Sequence, residues 1–338
     1  MTTSGTYAFT VNTADIVREM MLNVGAIGEA EVPTAQEYTD CVRKLNLLAK
    51  QWMGRQDFAP GLKMWTRQRS DLLLSSTKYR YALGPTGDQW AAGVAASPNA
   101  NHATQTLITS AAAGATTLSF GVGNTGNFTP QDYLVVQLDS GDIYSTTVTS
   151  VNAALGTIAI PPLPSSSSAN AYVWNYTTKG QRPLNILTCV LRDIYNNDTP
   201  LNPMTLEDYE LLPTKTMPGY LSDPSAYYYE SQIGASTAGN GQLYLDVTGA
   251  QDVTKHLHLV YLRPVMDLVN ATDTPDYPQQ WYRALVWGGS REICGMFDAI
   301  WTEDMQANYL EAVAMAREAD SDTTTFYFQP NSASPYDP

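Results

Sequence analysis

The spacing of apolar residues changes twice along this 338-residue chain. Near both ends, apolar side chains recur every three or four residues, as on one face of an α-helix. Between about residue 62 and residue 264 they recur at every second position, as in a half-buried β-strand. Helical stripes must be covered by other helices, and strands must pair, so the pattern favours an α+β chain whose two ends share one helical core.

Two helices near the start are marked by end signals as well as by stripes. Thr13 is placed to cap the first helix, and Gly25 is placed to end it. Thr34 and Glu37 have the spacing of a capping box at the start of the second. The two apolar stripes are Ile16, Val17, Met20, Met21 and Val24, and then Tyr38, Cys41, Val42, Leu45, Leu48, Ala49 and Trp52.

Two further helices close the sequence. Pro278 suits the first turn of "PQQWYRALVWGGSREICGMF", and Thr302 is placed to cap "TEDMQANYLEAVAMAREAD". Four amphipathic helices bury their stripes most economically against each other, which predicts a helical bundle from residues 13–55 and 275–320. Trp52 and Trp281 each lie on such a stripe, and we expect both in the core of this bundle.

Strand-like segments fill the middle of the chain. The alternating pattern of residues 62–90 and 179–264 predicts that these two segments form one central antiparallel β-domain. Residues 91–178, which are almost without Lys or Arg, carry short strands at near-regular spacing between turn clusters. This change of composition predicts an inserted small β-barrel or sandwich, to which we refer as the insert.

Composition excludes several classes of protein. The chain has 33 acidic and 19 basic residues and a formal charge of -14, which disfavours a protein that grips a phosphate backbone. No apolar run reaches the ~20 residues of a membrane span, and the N-terminal segment lacks the pattern of a signal peptide, so we expect a soluble protein made in the cytoplasm. Cys41, Cys189 and Cys294 are far apart and odd in number, and we expect buried thiols rather than disulfides or a zinc site.

Motifs that suggest chemistry have plainer explanations. Gly121, Gly123 and Gly126 match G-x-G-x-x-G, but a strand-like segment follows them where a dinucleotide site needs a helix, so a turn is expected. His256 and His258 face the same side of a strand, yet no third metal ligand is apparent, which favours an exposed sheet face.

Carboxylates with catalytic potential have an equally plain explanation. Asp139, Asp142, Asp273 and Asp276 stand in turn-like contexts, where Asp is expected for its backbone hydrogen bonds. We therefore predict no catalytic residue, no metal and no cofactor.

Several segments resemble one known family. They are "TADIVREMMLNVGAIGEAEVPTAQEYTDCVRKLNLLAKQWMG", "LPTKTMPGYLSDPSAYYYE", "LVYLRPVMDL", "DTPDYP", "QQWYRALVWGGSREIC", "YLEAVAMAREAD" and "TTTFYFQPN". Together they are similar to the head-to-tail adaptors of short-tailed bacteriophages, also called tail tubular protein A or packaged-DNA stabilisation proteins. The resemblance covers most of the chain except the insert, which the compact members of the family lack.

The resemblance implies a structural protein and not an enzyme. Such a protein forms a ring, a dodecamer of about twelve copies, below the portal protein at the head–tail junction of the virion. The ring extends the channel through which double-stranded DNA passes without tight binding, and it carries the tail nozzle and tail fibre proteins. The alternative is a tail-associated protein that binds or hydrolyses carbohydrate, with the insert as its binding part.

The C-terminal residues 321–338 are expected to form an extended docking tail. Phe326, Tyr327 and Phe328 form too short a run to build a core, and Pro330 discourages a helix. The family resemblance implies that this tail docks on the portal protein or on the neighbouring subunit.

Overall fold

A computed structural model describes residues 9–54, 66–92, 103–213, 221–231 and 239–320 of the chain. These residues form two compact units. Unit 1 takes residues from both ends of the chain, up to residue 66 and from residue 265 onward, and unit 2 comprises residues 67–264. Helices and several antiparallel sheets are both present, which confirms the α+β class.

The helices divide between the units. Unit 1 holds α1, α2, α4 and α5, while the single-turn α3 belongs to unit 2. Short 3-10 turns, Gln279–Trp281 and Cys294–Met296, flank α4. The helices are α1 (Thr13–Asn23), α2 (Ala35–Gly54), α3 (Leu206–Glu210), α4 (Tyr282–Ile293) and α5 (Glu303–Ala319).

Unit 1 is held together by the predicted stripes. The stripe residues of α1 and α2 join buried residues of α4 and α5 in one apolar cluster. Burial of apolar area at roughly 25 cal/mol per Å² is the main force that holds such helices together. The buried members from α4 and α5 are Ala284, Leu285, Ile293, Ala312, Val313 and Ala316.

Two glycines at the centre of α4 lie close to side chains of α1 and α2. A Cβ atom on Gly289 would lie 2.5 Å from Met20 Sδ and 2.8 Å from Leu45 Cδ1. One on Gly288 would lie 2.9 Å from Leu48 Cδ2. The pair therefore leaves room for side chains of α1 and α2 that a larger residue would displace.

The N-terminal cap of α1 lies one residue before the predicted one. Asn12 is the cap: its side-chain oxygen accepts from Asp15 N at 2.8 Å, and Asp15 Oδ2 accepts from Asn12 N at 3.3 Å. Thr13 is instead a buried first residue of the helix, and its hydroxyl donates to Asp273 O at 2.8 Å. The prediction that Thr13 caps α1 is wrong. Asn is as suitable a cap residue as Thr, and the sequence does not show the contact of Thr13 with Asp273.

Three other predicted helix ends are confirmed, whereas Pro278 precedes the 3-10 turn Gln279–Trp281 and α4 begins only at Tyr282. Thr34 N donates to Glu37 Oε2 at 2.8 Å and Glu37 N donates to Thr34 Oγ1 at 3.3 Å, which completes the capping box of α2. Thr302 Oγ1 accepts from Met305 N at 3.3 Å at the start of α5. Gly25 follows α1 with a φ of 69°, the left-handed conformation that glycine adopts without strain.

Unit 2 is built from strands. The first sheet has the order β12-β11-β18-β1-β3, the second β4-β10-β6-β7, the third β13-β15-β16-β2 and the fourth β5-β9-β8, while β14 and β17 form a pair. The strands are β1 (Arg67–Leu73), β2 (Arg80–Leu83), β3 (Trp90–Ala92), β4 (Ala103–Thr106), β5 (Thr117–Ser119), β6 (Tyr133–Gln137), β7 (Ile143–Thr147), β8 (Ser150–Asn152), β9 (Thr157–Ala159), β10 (Tyr172–Tyr176), β11 (Asn185–Arg192), β12 (Asp198–Pro200), β13 (Asn202–Pro203), β14 (Leu221–Ser222), β15 (Ala226–Glu230), β16 (Gly241–Leu245), β17 (Gly249–Ala250) and β18 (His256–Leu262).

The insert folds as two open sheets rather than a barrel. The second and fourth sheets share one apolar cluster, to which Leu118, Leu134 and Ile158 contribute. Among the described residues no sheet closes on itself, so of the two predicted forms the sandwich is the one observed. Gly121 and Gly123 lie in turns with φ of 85° and 90°, and the next element after Gly126 is a strand, as expected.

The second sheet is buried on both faces. Leu134, Val136 and Val173 point into the core of the insert, whereas the alternate residues Val135 and Trp174 belong to a different cluster. That cluster also contains Leu73 of β1 and Ala91 of β3, from the first sheet. The insert and the first sheet therefore share a core.

The three cysteines are buried free thiols, as predicted. Burial raises the pKa of Cys41 to about 11, which keeps this thiol protonated at neutral pH. Of the helices described, none is both long and apolar enough to cross a membrane.

Candidate functional site

A row of polar residues crosses one face of the first sheet. Asp71 of β1 lies opposite His258 of β18, and His256 lies opposite Arg192 of β11, which in turn faces Asp198 of β12. Paired residues of antiparallel strands share a face, and so do residues two apart on one strand. All five side chains are therefore on the same side of the sheet.

The opposite face of the same strands is apolar. Leu72, Leu257 and Leu191 are paired across β1, β18 and β11, and all three belong to the core cluster on that side. The strands thus follow the alternation of a sheet with one apolar and one polar face. The polar face is buried as well at Asp71, His256 and His258.

Two histidines approach one buried carboxylate. His258 Nδ1 is 2.6 Å from Asp71 Oδ1, and His256 Nε2 is 3.9 Å from the same oxygen. Asp71 is 4% exposed, His256 8% and His258 7%. A buried carboxylate needs polar partners, and His258 Nδ1 lies within hydrogen-bond distance of this one.

Arg192 extends the row as half of a bidentate ion pair. Its Nε and Nη2 atoms lie 2.7 and 2.8 Å from the two carboxylate oxygens of Asp198. The Arg192 guanidinium lowers the pKa of Asp198, and the carboxylate raises the pKa of Arg192. Both groups are therefore charged over the whole range in which histidine titrates.

Three residues of the polar row, Asp71, Arg192 and His256, form the floor of a cleft of about 440 Å³, to which we refer as the aromatic cleft. Tyr172 and Trp174 of β10 form one wall, with ring centroids 6.1 Å apart and ring planes inclined by 26°. Tyr195 lines the cleft from the loop between β11 and β12 and is 78% exposed. Asp193 is a further acidic residue of the lining.

The loop that carries Tyr195 is tied to its own backbone. Asp193 Oδ1 accepts from Tyr195 N at 2.8 Å and from Asn197 N at 2.9 Å. Asn196 completes the turn with a φ of 64°, a conformation that Asn tolerates well. These hydrogen bonds fix the backbone of the loop at Tyr195.

A second cleft, of about 470 Å³, lies beside the turn that follows β1. Asp142, which lies just before β7, is its main polar contact: the carboxylate accepts from Ser75 Oγ at 2.7 Å, from Ser76 N at 3.0 Å and from Thr77 Oγ1 at 3.0 Å. These bonds join residues about 65 positions apart in the sequence. They fix the insert to the first sheet, so we interpret this cleft as a structural joint.

Trp52 and Trp281 both lie in the apolar cluster of unit 1, with ring centroids 5.9 Å apart. They pack against each other but form no polar site. The predicted docking residues Phe326, Tyr327, Phe328 and Pro330 lie outside the described residues. Trp52 and Trp281 are not among the residues that line the aromatic cleft.

The histidine pair was wrongly predicted to lie on an exposed sheet face. The spacing of His256 and His258 places both on one face, which the sequence allows one to predict. Their burial depends on β10 of the insert, which covers that face, and their carboxylate partner Asp71 is 187 residues from His258. Asp71 stands inside "SDLLL" and gives no motif of its own. Within the described residues, no group of three or more His, Cys, Asp and Glu has the arrangement of a metal site.

Neither a family model nor a curated protein matches this chain. Among solved structures, one similar chain is VP17, a capsid protein of bacteriophage P23-77, which is 9% identical. The match covers 62% of this chain and 78% of VP17, with a TM-score of 0.11. A TM-score this low does not indicate a common fold, so the likeness to this phage capsid protein does not itself assign a role.

Proposed function

We propose that this chain is a head-to-tail adaptor of a short-tailed bacteriophage, a structural protein and not an enzyme. The observation that carries the proposal is the pairing of the two family-like ends of the sequence. The segments "TADIVREMMLNV" and "YRALVWGGSREI" lie on α1 and α4, which pack in the core of unit 1. Two of the segments that carry the resemblance therefore help to build the helical unit.

Exposed apolar side chains on unit 1 support an assembling subunit. Val32 and Ile300 are both 82% exposed, and Leu47, Leu310 and Met315 also lie open to solvent. Scattered exposed apolar residues are normal, but large ones become buried when identical subunits associate. A ring of about twelve copies below the portal protein would cover part of this surface.

The charge of -14 suits a channel for DNA. An acidic wall repels the phosphate backbone, which lets the double helix slide and keeps it from adhering. The proposed partners are the portal protein above the ring and the tail nozzle and tail fibre proteins below it. The proposed location is the head–tail junction of the virion.

The test is a phage that lacks this protein. Because the adaptor is proposed to join the portal after packaging, mutant particles should contain filled heads without nozzle and fibres, and the heads should lose DNA on storage. Electron microscopy and nuclease-protected DNA measure the two effects, and a plasmid copy of the full chain should restore both. Tailed mutant particles that retain their genome would contradict the proposal.

A further inference from the structure

The aromatic cleft has the make-up of a small-ligand site that the adaptor role does not use. Its volume of about 440 Å³ lies within the range of roughly 300–1,000 Å³ that is typical of such sites. Its walls combine aromatic rings with planar polar groups. We propose that the aromatic cleft binds one neutral sugar ring.

The aromatic wall fits the apolar face of a sugar ring. Tyr172 provides the accessible aromatic ring on β10, the buried Trp174 packs beside it with ring centroids 6.1 Å apart, and the exposed Tyr195 lines the cleft from the loop after β11. Aromatic rings present a broad apolar face to C–H groups while the tyrosine hydroxyl remains available for hydrogen bonds. Tyr172 is half-buried, so part of its ring faces the cleft.

The polar floor fits the hydroxyl groups of the same ring. Asp71 and His256 supply hydrogen-bonding groups that are already fixed by the strand register and by His258. Asn196 and Thr254 add an amide and a hydroxyl at the rim. Polar groups that are held in place before binding lose little entropy when a ligand arrives.

The charge of the cleft favours a neutral ligand. Among the lining residues that the structure describes, Arg192 is the permanent cation, and Asp198 already binds it through both carboxylate oxygens. Asp71 and Asp193 contribute negative charge to the same lining. A phosphate or carboxylate group would therefore face two carboxylates and a guanidinium that is already paired with Asp198, which disfavours nucleotides and acidic sugars.

Saturation-transfer NMR on the full chain tests the proposal with four separate probes: the methyl glycosides of glucose, galactose, mannose and N-acetylglucosamine. At least one should show transfer at about 10 mM, with a dissociation constant in roughly the millimolar range. Tyr195→Ala should weaken that binding about fivefold, since one stacked ring is lost, whereas Tyr195→Phe should retain it. Glucose 6-phosphate should bind more weakly than the glucoside.

Leu155→Ala is the matched control, because Leu155 is an exposed residue of the insert outside the cleft lining. It should leave sugar binding unchanged, and all variants should melt at the same temperature as the parent. Absence of transfer from all four probes, or equal binding by Tyr195→Ala, would overturn the proposal. The assay does not involve the portal, so its failure is distinct from failure of the adaptor assignment.

Discussion

At the scale of single residues, Asp142 shows how one side chain can join two parts of a fold. Burial raises the pKa of its carboxyl, but hydrogen bonds from Ser75, Ile143, Ser76 and Thr77 outweigh burial, and the pKa lies below its ordinary value. A carboxyl whose pKa is lowered by folding stabilises the protein at pH values above its unfolded pKa, about 4. That contribution is lost as the pH falls through the folded pKa.

We expect Asp142→Asn to destabilise the protein at neutral pH by about 1–2 kcal/mol, because an amide cannot accept all of these hydrogen bonds and its partners are left poorly satisfied. Urea unfolding at about pH 7 and about pH 3 measures the effect, and the difference from the parent should shrink at the lower pH. Asp139→Asn is the control, since Asp139 accepts a hydrogen bond from Ser168 N in an exposed part of the insert. An equal loss in both variants would contradict the role given to Asp142.

The residues of the aromatic cleft could be predicted from the sequence only in part. The alternation of β18 is enough to place His256 and His258 together, but not to find Asp71 or to bury all three. Their burial depends on which strands neighbour β18 and on what covers the sheet, and both are set by pairings between distant segments. The start of α1 shows the same limit. Asn12 and Thr13 are adjacent and either could cap the helix, but the Thr13 hydroxyl donates to Asp273 O, and Asn12 is the cap.

At the scale of elements, local signals predicted the helices well. Capping boxes, apolar stripes and a terminal glycine involve residues within a few positions of each other, so the sequence displays them directly. The close packing at the centre of α4 is not displayed in this way. The Gly288–Gly289 pair would ordinarily weaken a helix, and only the positions of Met20 and Leu45 explain why the pair is useful.

We expect Gly289→Ala to destabilise unit 1 even though alanine favours helices. The added methyl group would displace Met20 and Leu45, both almost fully buried, and overpacking of this kind costs about 1–3 kcal/mol against a gain of up to about 1 kcal/mol in helix propensity. Gly295→Ala is the control, because no atom lies within 4 Å of a Cβ at that position. A melting temperature for Gly289→Ala at or above that of the parent would show that α4 has more room than the structure indicates.

At the scale of the whole molecule, the insert is the least predictable part. Its composition marks residues 91–178 as a separate segment, yet Val135 and Trp174 of the insert share a cluster with Leu73 and Ala91. Period-two patterns reveal that a strand has two faces but not that both are buried. The sequence therefore predicts a small inserted β-barrel or sandwich, and it does not predict the core that the insert shares with the first sheet.

This shared core predicts that unit 2 unfolds as one body. Trp174 is almost fully buried, and Trp174→Ala should cost about 3–5 kcal/mol and lower a single transition that includes both the insert and the first sheet. Hydrogen exchange of β11 and β18 amides during thermal or urea unfolding reports on the first sheet separately. Loss of protection confined to β4–β10, with β18 unaffected, would contradict the shared core.

The adaptor assignment is tested most directly by the mass of the protein with and without its portal, measured by sedimentation velocity. Alone at low salt the acidic chain should sediment mainly as a monomer, because like-charged copies repel each other when charge is poorly screened. Mixed with portal rings, about twelve copies should sediment with each ring. A chain that ends at Asp320, and so lacks Phe326, Tyr327, Phe328 and Pro330, should melt like the full chain but bind the rings much more weakly. A full chain that remains a monomer in the presence of portal rings would contradict the assignment.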